Sequence, residues 1–425
     1  MLKKLKHIWK LPDLRNKILF VLGMLVIFRF AASIPIPGVN LENLRSAFQG
    51  NQIFGLMNIF SGGGLENFSI VAMGVAPYIT SSIIFQLLAM IIPRFEALQK
   101  EGEYGRQKIN QYTRYATIPL AILQAYGLVM LLQQQASRKI IESLDPLNFA
   151  FIILTLTAGT VFLMWIGELI SEKKIGNGIS LLIFAGIVSG LPSVIRSIEV
   201  LDATQIMNIA VFVAIAILTI ILVVFMTEGQ RNIPVSYARQ VRGVRMMGGV
   251  NTHLPLRVNQ GGVIPIIFAI SVVLFPPTIA QFFAQAKTPA IAEAAQAVIA
   301  FFGNNIAYGI FYFVAVVAFT FFYSAVVFKP EQVAENLQKQ GGFVPGIRPG
   351  KQTADYLQSI VNRINLPAAL FLAAIAVLPL AVQFFTQIQT LAIGGTSLLI
   401  VVSVVIETFK QIDAQLSMRD YEDLF

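Results

Sequence analysis

The chain has 425 residues, 56% of them hydrophobic and only 12% charged, with a mean hydropathy of +0.71, and that composition cannot supply the polar surface a soluble protein of this length needs. It contains no cysteine and two histidines, His7 and His253, which excludes disulfides and thiolate metal sites and leaves no zinc or haem set to assemble. Its 31 Lys and Arg against 22 Asp and Glu give a net charge of +9, and without interleaved aromatics these basic residues read as loops of a membrane protein rather than as a nucleic-acid surface.

In chain order, apolar stretches near the roughly 20 residues that a spanning helix needs run over Ile18–Ile36, Val71–Ile92, Tyr115–Leu132, Phe149–Ile170 and Ile179–Ile195, then Ile206–Met226, Val263–Phe283, Ile306–Phe328, Leu366–Phe385 and Leu391–Phe409. The segments between these ten stretches alternate in charge. One set carries 25 of the Lys and Arg: the N-terminus, Arg94–Arg114, Lys173–Lys174, Arg231–Arg257, Lys329–Arg363 and the C-terminal tail from Lys410 on. The other set carries five, Arg45, Arg138, Lys139, Arg196 and Lys287, while Arg29 sits near the outer end of the first stretch. The positive-inside rule then places both termini in the cytosol. The opening MLKKLKHIWK reads as an interfacial helix through Leu2, Leu5, Ile8 and Trp9. A cleaved signal peptide is the alternative, opposed by Ser-Ile-Pro-Ile-Pro-Gly where a small-residue cleavage site belongs.

The expected fold is an all-α membrane protein of ten transmembrane helices, N-in and C-in. Ten spans divide into five and five. Five is odd, so the second half enters the membrane from the opposite side, which permits two pseudo-symmetric inverted halves, 1–190 and 206–410, joined by the external segment Leu191–Gln205. Two external segments are too apolar for ordinary loops. Ile53–Phe68 is too short to span and is broken by Gly62, Gly63 and Gly64, so it folds back into the bundle or lies on the membrane. Pro289–Phe302 reads as an Ala-rich interfacial helix. On the cytosolic side, Thr227–Gly262 and Lys329–Asn365 are long, basic and rich in Gly and Pro, which suggests docking surfaces for a partner.

Catalytic patterns are missing. In GGFVPGIRPGKQT the first glycine of a phosphate loop would fall on Pro345, and Gln352 stands where a hydroxyl should hold Mg²⁺. No Ser/His/Asp set can be built, and neither an enzyme nor a cofactor is expected. Glu168 and Glu407 lie at cytosolic ends of spans rather than at mid-depth, which argues against a proton- or sodium-coupled pump. The spans instead hold Gly74, Pro77, Thr80, Ser81 and Ser82 in the second and Pro265, Pro276 and Pro277 in the seventh, residues that allow kinks and close helix contacts.

Five strings carry a resemblance: FSGGGLENFSIVAMGVAPYITSSIIFQLL, EKKIGNGISLLIFAGIVSGLP, GGVIPIIFAISVVLFPPTI, GGFVPGIRPGKQT and IGGTSLLIVVSVVIETFKQI. Together, in order and over nearly the whole chain, they resemble the SecY/Sec61-alpha family of protein-conducting channels. The tail SMRDYEDLF is short and acidic where many relatives carry a more basic one.

The resemblance implies an hourglass whose two five-helix halves open like a clamshell about 191–205. It places an aliphatic constriction on Val75, Ile79, Ile179, Ile183, Ile267 and Ile400. From spacing alone, Val75, Ile79 and Ile83 share one helix face, which is equally the pattern of plain bundle packing. The family's plug falls on Asn58, Ile59, Phe60, Ser61, Gly62, Gly63, Gly64 and Leu65, expected nearest the constriction. A lateral gate is implied between the second and third spans and the seventh and eighth, with Thr80, Ile83, Gln86, Gln124 and Phe275 on the seam. Ordinary interhelical hydrogen bonding is an equal reading for each polar member. Partner docking is implied for Arg348, with Lys351, Arg239, Arg242 and Arg257 around it, since Arg suits acidic protein and RNA phosphate.

The partners implied are the small membrane subunits SecE and SecG, the SecA motor ATPase, the ribosome, signal sequences and nascent polypeptides, and membrane lipid, with no direct nucleotide. The implied location is the bacterial cytoplasmic membrane. The competing reading is a ten-helix secondary transporter of a small solute. The plug-like segment, the long basic loops and the absence of mid-membrane carboxylates weigh against it.

Overall fold

A computed structural model of the chain describes residues 9–48, 58, 61, 63–135, 145–199, 206–237, 240–242, 245–247, 251–284, 288–386 and 394–422, most of them helical. Pro12 at the first turn and Asp13 beside it start α1 (Pro12–Ala32). Asn40 caps α2 (Leu41–Phe48) by accepting from the amides of Glu42 and Asn43 at 3.1 Å each.

The second apolar stretch, expected from Val71, becomes helical only at Ala76. Gly74 takes φ +57, a turn geometry, and Pro77 fits the first helical turn. The resulting α3 (Ala76–Ile91) meets α4 (Pro93–Lys100) at a 99° bend, where Pro93 ends one helix and starts the next. Next come α5 (Glu103–Gln135), α6 (Pro146–Glu172), α7 (Gly178–Glu199) and α8 (Ile206–Glu228). The second half continues with α9 (Ile264–Phe283), α10 (Pro289–Gly303), α11 (Asn305–Val327), α12 (Pro330–Lys339), α13 (Lys351–Thr386) and α14 (Gly394–Glu422).

Two expectations need correction. The chain is not all-α, and its two long basic segments are not loops. The first segment folds as β1 (Gln230–Tyr237), β2 (Gln240–Arg242), β3 (Arg245–Met247) and β4 (Asn251–Arg257). β1 pairs antiparallel with β4, from Gln230–Arg257 to Ser236–Asn251, while β2 and β3 form their own small ladder. The second segment contributes α12, β5 (Gly342–Phe343) and the first turns of α13, and β5 adds to the free edge of β1. Both segments share one apolar core: Ile233 and Leu256 from the sheet pack with Val344 and with Leu357, Ile360 and Val361 of α13.

Among the described residues, Pro146–Glu172, Asn305–Lys339 and Lys351–Val382 are long and apolar enough to cross a membrane, and the bent pair Ala76–Ile91 with Pro93–Lys100 would make a fourth. Helix length and composition among the described residues alone do not establish the expected count of ten. Helices from the first and second halves meet on two sides, α9 against α3 and α5, and α14 against α7.

Candidate functional site

Val75, Ile79, Ile183, Ile267 and Ile400 are all buried members of one apolar cluster, and Ile179 packs against it. They come from four elements. Val75 is the residue before α3 and accepts from the Ile79 amide at 3.0 Å. Ile79 lies one turn on, Ile179 and Ile183 lie on the first two turns of α7, Ile267 on α9 and Ile400 on α14. Gly167 of α6 makes room for Ile179: a Cβ there would sit 2.6 Å from the Ile179 Cδ1. These six are branched aliphatics that neither donate nor accept hydrogen bonds, within a larger cluster that also holds Phe268, Tyr308 and Tyr312.

Beside this cluster, a cleft of about 70 Å³ opens where α9 meets α3 and α5. Thr80, Gln124 and Phe275 line it, with Ser271, Leu274 and Thr278 from α9. The Gln124 amide donates to the Thr80 hydroxyl at 3.4 Å, while Thr80 donates to the Ala76 carbonyl oxygen at 3.0 Å. Two other expected seam residues are placed differently. Ile83 is buried in the central cluster, and Gln86 donates to Ser82 on its own helix at 3.1 Å. Sequence reasoning missed Ser271 and Thr278. Their spacing of seven marks one helix face, but each hydroxyl bonds its own helix backbone, to Ile267 and Leu274, so nothing in the string set them apart from ordinary helical Ser and Thr.

Of the segment expected near the constriction, Ile59, Phe60 and Gly62 lie outside the described residues, as do residues 53–57. The rest forms tight turns. Gly63 donates to the Asn58 carbonyl oxygen at 2.9 Å, Ser61 accepts from the Leu65 amide at 2.9 Å, and the Asn58 side chain accepts from Glu66 at 3.1 Å. Gly63 needs its glycine, at φ +78. Leu65 and Phe68 are fully buried in a second apolar cluster, with Ile36, Leu44, Met73, Ala121, Leu128 and Leu156. Leu65 and Phe68 are therefore packed among first-half residues beside the central cluster, with Ile70 touching both clusters. Backbone bonds from Ile36 to Phe68 and from Ile70 to Ile34, 3.0 Å each, fasten the segment's exit to the end of α1.

Arg348 is exposed on a turn whose base is built into the sheet-and-helix core. Val344 is buried, and its carbonyl oxygen accepts from the Ile347 amide at 3.0 Å. Pro345 and Gly346, at φ +83, occupy the corner of that turn, the sequence chemistry of a type II turn. The Thr353 hydroxyl on α13 donates to the Arg348 carbonyl oxygen at 2.9 Å. Lys351 opens α13 and Arg257 ends β4, both exposed. Arg242 lies in β2, and Arg239 lies outside the described residues. On nearby α12, Lys339 bonds Glu335 at 2.8 Å and lowers that carboxyl below its usual range.

The family model that describes SecY matches residues 69–409. The chain is 46% identical over 433 residues to the protein translocase subunit SecY of Halalkalibacterium halodurans, covering 99% of each. It is 44% identical over 439 residues to the same subunit of Mycobacterium tuberculosis, covering 96% of each. Among solved structures, that of a protein-conducting channel aligns at a TM-score of 0.62 and 17% identity, over 92% of this chain and 90% of the other. A structure of Sec61 in a canine ribosome-channel complex aligns at 0.53 and 17% identity over the same shares. These two likenesses carry the fold.

Proposed function

The chain belongs to the SecY family, and from that premise we propose how its parts divide the work of a channel that conducts polypeptides. The activity is protein translocation rather than solute transport, and full-length identity to curated translocase subunits carries that conclusion. The protein itself supplies a passage and its gates.

The ten apolar stretches form two inverted five-helix halves, residues 1–190 and 206–410, with both termini in the cytosol. The support is the charge alternation along the sequence. The halves open about 191–205, of which 191–199 continue α7 rather than forming a loop and 200–205 lie outside the described residues. Val75, Ile79, Ile179, Ile183, Ile267 and Ile400 are the constriction. Aliphatic side chains favour neither water nor ions when they close on one another, so the ring gates by dewetting. To a passing extended chain they offer no polar partner that would hold it.

Asn58–Leu65 is the plug, seated in the first half. The α9 seam against α3 and α5 is the lateral gate. The apolar helix of a signal sequence enters there because the gate and the lipid solvate it alike, and the cleft beside Thr80, Gln124 and Phe275 is its foothold. The sheet-and-helix unit bearing Arg348, Lys351, Arg239, Arg242 and Arg257 is the cytosolic platform for SecA or the ribosome, which supply the energy. SecE and SecG complete the assembly in a bacterial cytoplasmic membrane.

Proteoliposomes holding the chain and its small partners test the reading. With SecA and ATP outside, a precursor becomes protected from added protease while an entrapped small solute stays inside. Solute flux without precursor protection would contradict it.

A further inference from the structure

The turn between α6 and α7 carries polar contacts between the two halves that the scheme above does not use. Its backbone is forced, with Lys174 at φ +58 and Gly176 at φ +113. Ser171 and Asn177 serve the turn itself. The Ser171 hydroxyl accepts from the Gly178 amide at 2.9 Å, and the Asn177 side chain caps the amides of Ile179 and Ser180 at 3.0 and 3.2 Å. Two further backbone groups are taken by α14 instead. The Gly176 amide donates to Gln411 Oε1 at 2.6 Å, and Gln415 Nε2 donates to the Lys174 carbonyl oxygen. Four residues apart, the two glutamines share a helix face. Lys17 of α1 donates to Gln415 Oε1 at 3.3 Å. The approach is close, for a Cβ on Gly176 would lie 3.1 Å from the Thr408 hydroxyl.

The other meeting of the halves is built differently. Where α9 faces α3 and α5 there is a cleft, and nearby Lys329 reaches Gln99 of α4 at 3.4 Å through two flexible side chains. Bonds to backbone groups in a forced turn fix position more tightly than a bond between two long, flexible, half-buried side chains. The turn also leads straight into the constriction. Ile179 and Ile183 lie on the first two turns of α7, and Ile400 lies about three helical turns before Gln411 on α14.

We infer that Gln411 and Gln415 are positioning residues that pin the α7 edge of the constriction to α14, so that this edge is the fixed pivot about which the α9 seam parts. The inference rests on the two-half, six-residue constriction proposed above. It gives that opening a second attachment besides the covalent one at 191–205.

Because the chain has no cysteine, paired cysteines give unique tethers. One pair is Lys174→Cys with Gln415→Cys across the pivot. The other is Ala76→Cys with Leu274→Cys across the α9 cleft. Each is closed with a short bis-maleimide in the full channel complex and tested for precursor translocation. The expected result is that the pivot tether forms and leaves translocation at its unlinked rate, while the cleft tether stops it. If both tethers stop translocation, the pivot is overturned and the two-half reading stands. If neither does, the opening of the α9 seam fails, and the pivot with it. Failure of the pivot tether to form also overturns the inference. As a second readout, Gln411→Leu should raise the resting ion leak roughly five- to tenfold, the factor one lost hydrogen bond supplies. Gln411→Glu keeps the acceptor for the Gly176 amide but loses the 3.5 Å donation to Glu407 and places a carboxylate beside it, so it should leak less than Gln411→Leu. An unchanged leak in Gln411→Leu would contradict the inference.

Discussion

A Cβ on Gly159 would lie 1.9 Å from the carbonyl oxygen of Ile70, so the chain leaving the plug segment rests directly on α6. Alanine is the better helix former, by about 1 kcal/mol, so Gly159→Ala should stabilise an unobstructed helix. Here it must push the Ile70 backbone away, and overpacking of this kind costs roughly 1–3 kcal/mol. The expected outcome is a lower unfolding temperature in detergent and a leakier resting channel. Gly23→Ala is the control, since a Cβ there meets nothing within 4 Å. Equal behaviour of the two variants would detach the plug's exit from α6.

Ile79→Asn and Ile267→Asn should each loosen the closed state. Both residues are buried in the central cluster, at 5% exposure, and an unsatisfied amide buried there costs about 1–3 kcal/mol. Water entering to satisfy it offsets that cost, so the constriction wets. Resting conductance in planar bilayers should rise, and precursors with defective signal sequences should be exported better. Unchanged conductance in both variants would remove them from the constriction.

Deleting Asn58–Leu65 should leave a folded, translocating and leaky channel. Ser61 and Leu65 are buried, so some stability is lost. The backbone bonds joining Ile34 and Ile36 to Ile70 and Phe68 lie outside the deletion and hold the remaining ends together. Failure of the shortened chain to assemble in the membrane would make the segment structural packing instead.

Arg348→Glu should abolish SecA-driven export with little change in stability. The side chain is exposed, while the turn below it is held by Val344, Ile347 and the Thr353 hydroxyl, none of which the substitution touches. Replacing a donor fork by a carboxylate repels an acidic partner. Translocation into vesicles, with chain level and SecE association measured in parallel, reads the effect. Normal export at normal levels would move the docking assignment to Arg239 and Arg242.

How much of this was legible in the sequence depended on the range of the interaction that shapes each part. Val75, Ile79 and Ile83 share a face because four-residue spacing in an apolar run is a local signal. The start of α3 was misplaced by five residues because hydropathy runs on through Val71–Val75, and only the Gly74 backbone angle shows that this stretch turns. The sheet was missed for a related reason. β1 alternates as a strand should, with Ile233 and Val235 buried, but Pro234 and Pro255 sit inside the paired strands and read as loop signals. In α13 the apolar face of Ala354, Leu357, Ile360 and Val361 was present in the sequence. The Gly- and Pro-rich run before it, and the absence of a visible partner, hid it. The bonds from Gln411 and Gln415 to the α6–α7 turn join residues 235 and 241 positions apart, and nothing in a single sequence announces such a pair.

The central claim is that a polypeptide passes through the aliphatic cluster where the two halves meet. A photoreactive residue at Ile79 or Ile267, in channels carrying a precursor stalled midway, tests it most directly. Phe225 on α8, 73% exposed, is the outward-facing control. The account predicts cross-links to the precursor from positions 79 and 267 and none from 225. Cross-linking from 225 with none from 79 or 267 would contradict it.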